Sequence, residues 1–373
     1  MNQAGRSPPS RFERLRDFVA SDPSNLGLLA DAAGAALDES LYPEAAEMVE
    51  RHAAIAPPPP SLINVLGLCA LGEGRHADAA RIFVSLLAET PGDAGLRYNL
   101  AWANSRLGDH QAALDRLGDD IATPQAAALT VRSLHHLERL DEALALGDAW
   151  EGREGDADLW GALASAALDA EDSARAARWA DRAQGSAEGL AAQGMLAMAE
   201  ARTDEARDLF QRAVTLRSDS ARGLLGLGSV LLGDGLPREA AARFDEAGGV
   251  FGDHLGTWIA AAWAWLIAGD AIAARKRFEH VLGLDDTFSE AHGGLAVIAA
   301  MAGQVEEARR GADIALRLDR QSLGGALARS LLLDQAGDPS TAARIRESAL
   351  NAPIGPEGRS VAQMLALAAA RGR

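Results

Sequence analysis

Few residues in this chain have the types and spacing that chemistry needs. The one histidine cluster is His135-His136-x-Glu138. Adjacent residues on a helix point about 100° apart, so His135 and His136 do not chelate as an i, i+4 pair does. No metal or cofactor is expected. Cys69 is the single cysteine and sits within an apolar helical pattern. It reads as a buried, inert thiol, and no disulfide can form within the chain. Gly226-x-Gly228 has the spacing of a dinucleotide loop, but it lies in mid-helix with no strand before it. Small residues for packing are the reading there. Phosphate-loop, nucleophile-elbow, H-E-x-x-H and paired C-x-x-C motifs do not occur in the sequence. The acidic residues are scattered along helix faces, as on solvated surfaces. The chain is therefore read as non-enzymatic, and recognition chemistry remains. Tyr98 and Trp102 are four residues apart and form one aromatic ledge on a helix, with arginine close by at Arg106. Such residues are enriched at binding hot spots.

The elements that position these residues recur. An alanine stands at Ala45, Ala79, Ala113, Ala143, Ala176, Ala206, Ala240, Ala274, Ala308 and Ala342, at intervals of 34, 34, 30, 33, 30, 34, 34, 34 and 34 residues. Six copies carry a glycine five residues earlier: Gly74, Gly108, Gly235, Gly269, Gly303 and Gly337. A helix must end at that point, and a left-handed residue is useful there. Ala221–Gly252 is typical. Leu224, Leu227, Gly228 and Leu231 share one helical face, Gly233-Asp234-Gly235 break the helix, and Pro237 opens the next. Eight residues into the first helix of each unit the side chain is small, from Ala33 and Gly67 through Gly194 and Gly228 to Ser330, with Val131 the exception. Phe83, Phe210, Phe244 and Phe278 follow their alanines by four residues and are expected to plug the gaps between units. A unit of this size cannot bury its apolar face alone and must stack on its neighbours.

Composition agrees. The chain of 373 residues is 48% apolar but only 5% aromatic, and alanine favours close helix packing. A formal charge of −17 repels phosphate backbones and anionic headgroups, so neither nucleic acid nor membrane is an expected partner. Met1–Ser10 is polar and has no apolar signal-peptide core. Ala260–Ala268, the longest apolar run, is too short to span a bilayer. A cytoplasmic protein is the expectation.

These features resemble the tetratricopeptide-repeat family. Trp160-x-x-Leu163-Ala164 and Trp258-x-x-Ala261-Ala262-x-x-Trp265 match its W-x-x-L-G-x-x-Y first helix, and Asp204–Phe210 matches its second. The resemblance covers about Leu26 to Pro353 and is weakest in the units that begin at Pro124, Ala157 and Ala187. It implies an all-α, right-handed α-solenoid of about ten helix–turn–helix units with terminal capping helices. Residues 1–25 form a tail and capping helix, 26–353 the repeat array with an irregular centre at about 114–206, and 354–373 a C-terminal capping helix over Arg359–Ala370. The alternative for an end helix is a docking peptide for a partner.

The resemblance also implies that first helices line a concave groove through their positions 2, 5, 9, 12 and 13, with 6 beside them. On this register the candidate partner-binding residues are Tyr98, Asn99, Trp102 and Arg106 in the third unit, and Arg132 and His135 in the fourth, with Gln125 and His136 nearby. Met195 and Met198 follow. Leu225, Ile259, Leu266, Val297 and Met301 continue an apolar inner face that would suit an amphipathic helix. Two packing alternatives stand beside these readings. Tyr98 and Trp102 pack between units, or the apolar positions are buried by the superhelix or a crossing end helix. The Lys/Asn clamp by which some family members hold a chaperone's terminal carboxylate is not expected, because only Asn99 stands at a clamp-like position and Asn64 and Leu68 fill others. The functional reading is an adaptor that binds another protein or a peptide in the groove. Alternatives are a regulatory or substrate-recruiting subunit of an enzyme complex, and a scaffold that assembles with copies of itself.

Overall fold

The computed structural model describes residues 9–118 and 121–351, together with the backbone of 353–354 and 359–360. The chain divides into two compact units, Met1–Asp172 and Ser173–Arg373. In the first, α1 (Arg11–Ser21) precedes the hairpins α2–α3 (Leu26–Asp38, Tyr42–Ala53), α4–α5 (Pro60–Gly72, His76–Glu89), α6–α7 (Ala94–Arg106, His110–Leu117) and α8–α9 (Pro124–His136, Leu140–Trp150), followed by α10 (Ala157–Asp169). In the second, α11 (Ser173–Arg182) precedes α12–α13 (Ala187–Ala199, Thr203–Leu216), α14–α15 (Ala221–Gly233, Pro237–Phe251), α16–α17 (Leu255–Ile267, Ala271–Leu284), α18–α19 (Ser289–Met301, Val305–Leu318) and α20–α21 (Leu323–Gln335, Pro339–Asn351). The fold is an all-α solenoid of stacked hairpins. Among the described residues the one exception is a two-residue antiparallel pairing of β1 (Pro353–Ile354) with β2 (Arg359–Ser360). The helix expected from Arg359 therefore does not begin there, and residues 361–373 lie outside the described residues. No described helix is long and apolar enough to cross a membrane.

Every turn inside a hairpin closes in the same way. The residue five before each repeat alanine is left-handed: the six glycines have φ of 73–85°, and Ser40, Glu138, Glu171 and Ala201 have φ of 58–65°. The next N–H then donates back across the turn, as from Leu236 to the Leu231 carbonyl at 3.0 Å and from Arg202 to the Ala197 carbonyl at 2.8 Å. This Schellman closure satisfies the last carbonyls of the first helix and aims the chain back along it.

The periodic residues meet in the core. All ten repeat alanines are fully buried. The rings of Phe83, Phe210, Phe244 and Phe278 are buried too, in space that first helices leave by lacking a side chain. A Cβ at Gly67 would stand 2.5 Å from the Phe83 ring, one at Gly194 2.5 Å from Phe210, and one at Gly228 2.7 Å from Phe244. Burying a phenylalanine side chain contributes about 1.5–3 kcal/mol. The Gly226-x-Gly228 pair is thus a packing device, because Gly226 meets Phe210 and Gly228 meets Phe244.

The irregular spacing arises outside the first helices. All the first helices, α2 to α20, are 13 residues long. The second helices vary, and α7, α9 and α11 shrink to 8, 11 and 10 residues. The centre of the chain therefore keeps its first-helix layer and loses length from the other one.

Candidate partner-binding face

In Met1–Asp172 first helices pack on one another in two sets, α2 with α4, and α6 with α8 and α8 with α10, whereas no two second helices of this unit pack extensively together. Within each set the first helices stand closer together than the second helices do. On α6 the Asp93 carboxylate caps the helix by accepting the Leu96 N–H at 3.0 Å, which sets the register of the residues that follow. Tyr98 and Trp102 come one turn apart, with ring centroids 6.4 Å from each other and planes tilted by 36°. Both rings are half-buried against Ala101, Ala113 and Leu129. Each therefore packs on the core along one side and meets solvent along the other. Asn99 is half-buried in the same helix, and Arg106 is exposed at its end.

The polar residues of α8 reach the face already tied to α10. Gln125 Nε2 donates to Asp156 Oδ2 at 3.0 Å, Arg132 donates to the Asp158 carbonyl at 3.4 Å, and His135 Nε2 lies 2.6 Å from Asp169 Oδ2. The other oxygen of Asp156 accepts the Leu159 N–H at 2.8 Å and so caps α10. The neighbours of the Tyr98 hydroxyl have mixed signs. Burial raises its pKa, Arg132 lowers it, and Asp156 and Asp158 raise it. His136 is exposed and stacks on His110 with centroids 4.2 Å apart and planes 5° from parallel. Asn64, which stands where Tyr98 does but one repeat earlier, has a buried Oδ1 with no protein donor. Sequence reasoning missed Asp156, Asp158 and Asp169. The usable signal was the register itself, since Asp158 and Asp169 are positions 2 and 13 of α10.

Two segments of the chain, residues 70–133 and 191–249, match family models described as tetratricopeptide repeat. The chain is a tetratricopeptide-repeat protein. No curated protein matches it by sequence. Similar solved structures include the human IFIT1 dimer with PPP-AAAA, at 14% identity over 93% of this chain and 95% of that one, TM-score 0.48. The APC/C hetero-tetramer Cut9–Hcn1 is 14% identical over 92% of this chain and 87% of that one, TM-score 0.42. YrrB, a TPR protein with an unusual peptide-binding site, is 17% identical over 49% of this chain and 91% of that one, TM-score 0.35. The family assignment rests on the two matched segments and on the recurring buried alanines and left-handed turns.

The tetratricopeptide register divides the candidate residues between the compact units. Tyr98, Asn99, Trp102, Arg106, Arg132 and His135 belong to the first, and Met195 and Met198, on α12, to the second. Both methionines are half-buried against a cluster that contains Leu190, Ala197 and Phe210. Further along, the apolar inner face expected at Leu266 and Val297 is closed, because both are buried. At α18 and α20 the backbones meet. A Cβ on Gly293 would stand 2.5 Å from the Gly325 nitrogen, and Glu290 accepts the Gly324 N–H at 3.1 Å. Met301 remains 62% exposed at the end of α18.

Little reactive chemistry gathers among the described residues. No group of three or more His, Cys, Asp or Glu side chains could hold a metal there. Cys69 is buried, and desolvation pushes its thiol up to about 11. At that value it holds almost no thiolate at neutral pH.

Proposed function

We propose that this tetratricopeptide protein is a non-enzymatic adaptor whose first-helix face in Met1–Asp172 receives a segment of a partner protein. The observation that carries this reading is the half-open Tyr98–Trp102 pair. Aromatic side chains offer a large contact area for little conformational entropy, and such residues recur as binding hot spots. Asn99 and Arg106 extend the face along α6, while Arg132 and His135, braced by α10, extend it along α8. Met195 and Met198 form a smaller apolar contact on the second unit. The test is capture from a native extract followed by mass spectrometry, with wild-type protein, a Tyr98→Ala/Trp102→Ala variant, and Arg243→Ala on α15 as a control. Partners retained by the control and lost by the double variant support the reading. Equal capture by all three would remove this face from consideration.

Self-association is a second reading, and a separate surface favours it. In Ser173–Arg373 large apolar side chains flank successive turns, Ile267 and Ile272 at α16–α17 and Met301 and Val305 at α18–α19, and Ile272 is 74% exposed. Light scattering of the isolated chain, with Ile267→Asp/Ile272→Asp as comparison, tests it. A monomeric wild type counts against assembly.

A further inference from the structure

The charge of the chain is uneven. Met1–Asp172 holds 28 acidic and 13 basic side chains and Ser173–Arg373 holds 25 and 23, so the first unit carries −15 of the total −17 and the second −2. The excess reaches the candidate face. Asp158 is exposed, while Asp156 is held in place by Gln125 and by the α10 cap. Leu129 of α8 packs with Tyr98 and Trp102, and the same helix bonds through Gln125 to Asp156 and through Arg132 to the Asp158 carbonyl, so both aspartates adjoin the helix that abuts the rings. The rings of Tyr98 and Trp102 present π-faces, to which cations are drawn.

From this charge and geometry we infer that the first-helix face of Met1–Asp172 takes a basic segment of the partner, with an arginine or lysine over Tyr98 and Trp102 and Asp156 and Asp158 as counter-charges. This rests on the adaptor reading above and adds the chemistry of the partner. A unit with this net charge draws a cationic segment in and repels a polyanion, so a protein segment is favoured over nucleic acid. Arg132 is also part of the face and opposes the incoming charge. Its effect gives the inference a second, opposite-signed test.

The experiment is fluorescence anisotropy on the full chain with four labelled probes: a short arginine–leucine peptide, its glutamine and glutamate counterparts, and an oligoadenylate RNA. The arginine peptide should bind about tenfold or more tighter than the glutamine peptide, a difference of about 1.4 kcal/mol, and should weaken as salt is added. Asp156→Asn/Asp158→Asn should cost the arginine peptide about tenfold and leave the glutamine peptide unaffected. Asparagine still caps a helix, so α10 should persist, which circular dichroism checks. Arg132→Gln should tighten the arginine peptide. If the glutamine peptide binds as well as the arginine peptide and both need Tyr98 and Trp102, the adaptor face stands and the basic partner is wrong. If arginine-peptide binding survives both the aromatic and the aspartate variants, the attraction is diffuse and both readings of this face fail. Failure of the arginine peptide to bind, or preference for the glutamate peptide or the RNA, overturns the inference.

Discussion

Phe210 and Gly226 lie on neighbouring hairpins, and a Cβ on Gly226 would stand 2.3 Å from the Phe210 ring. Gly194 approaches the same ring from α12, where a Cβ would stand 2.5 Å away. One aromatic side chain on α13 thus touches backbone on both flanking first helices. In a stacked array such contacts between neighbours carry the stability.

Gly226→Ala should therefore destabilise the protein although alanine is the better helix former. The helical gain of about 1 kcal/mol is set against overpacking of about 1–3 kcal/mol or more. Phe210→Leu should relieve part of the clash, so the double variant should lose less than the sum of the two single ones. Urea unfolding measures this. Stability gained on Gly226→Ala alone would mean the ring lies elsewhere.

The four non-glycine turns make a prediction of opposite sign. Ala201 holds φ of 65° at the position where Gly235 holds 76°. A left-handed residue with a Cβ costs roughly 1–2 kcal/mol. Ala201→Gly should raise stability by about 1 kcal/mol, less what glycine adds to unfolded-chain entropy, and Gly235→Ala should lower it. A loss of stability on Ala201→Gly, read from the shift in urea midpoint, would contradict the shared turn geometry.

Much of this was legible in the sequence because it is local or periodic. The repeat alanines, the small residues facing Phe83, Phe210 and Phe244, and the turn glycines each repeat a short-range constraint at a fixed interval. What was not legible depends on how neighbouring helices meet. Arg132 and His135 looked like groove-lining side chains, but their partners Asp158 and Asp169 lie on the next first helix. Val297 looked like inner surface, but it is buried in a cluster with Leu266, Phe278 and Ala328. Glu138 and Glu171 gave no sign of a left-handed turn, because only position, not residue type, marks them.

Stability should also fall in mildly acidic solution. His76 and His110 both have a buried Nδ1 without a protein partner, and burial lowers both pKa values, with Arg106 adding to the effect at His76 and Asp109 opposing it at His110. The folded state thus favours neutral rings. The unfolded chain takes up protons from about pH 6.5, so over the interval below that value it binds more protons than the fold, and stability declines as pH drops. Glu39, lowered chiefly by the Phe12 N–H, and Asp78, lowered chiefly by Arg81, add their losses only below about pH 4.5. Urea midpoints at pH 7.0 and 5.5 should differ in wild type and differ less in a His76→Gln/His110→Gln variant. Unchanged or higher stability at the lower pH would contradict this.

We propose that the protein recognises its partner through the rings of Tyr98 and Trp102. The most direct measurement is the affinity of a captured partner for wild-type protein and for Tyr98→Ala/Trp102→Ala, with helical content matched by circular dichroism. At least one of the two rings should act as a hot spot contributing about 2 kcal/mol or more, so the double variant should bind at least about thirtyfold more weakly, while Arg243→Ala should bind as wild type does. Undiminished binding by the double variant, with loss of binding on Arg243→Ala, would place recognition on the second-helix side and contradict the account.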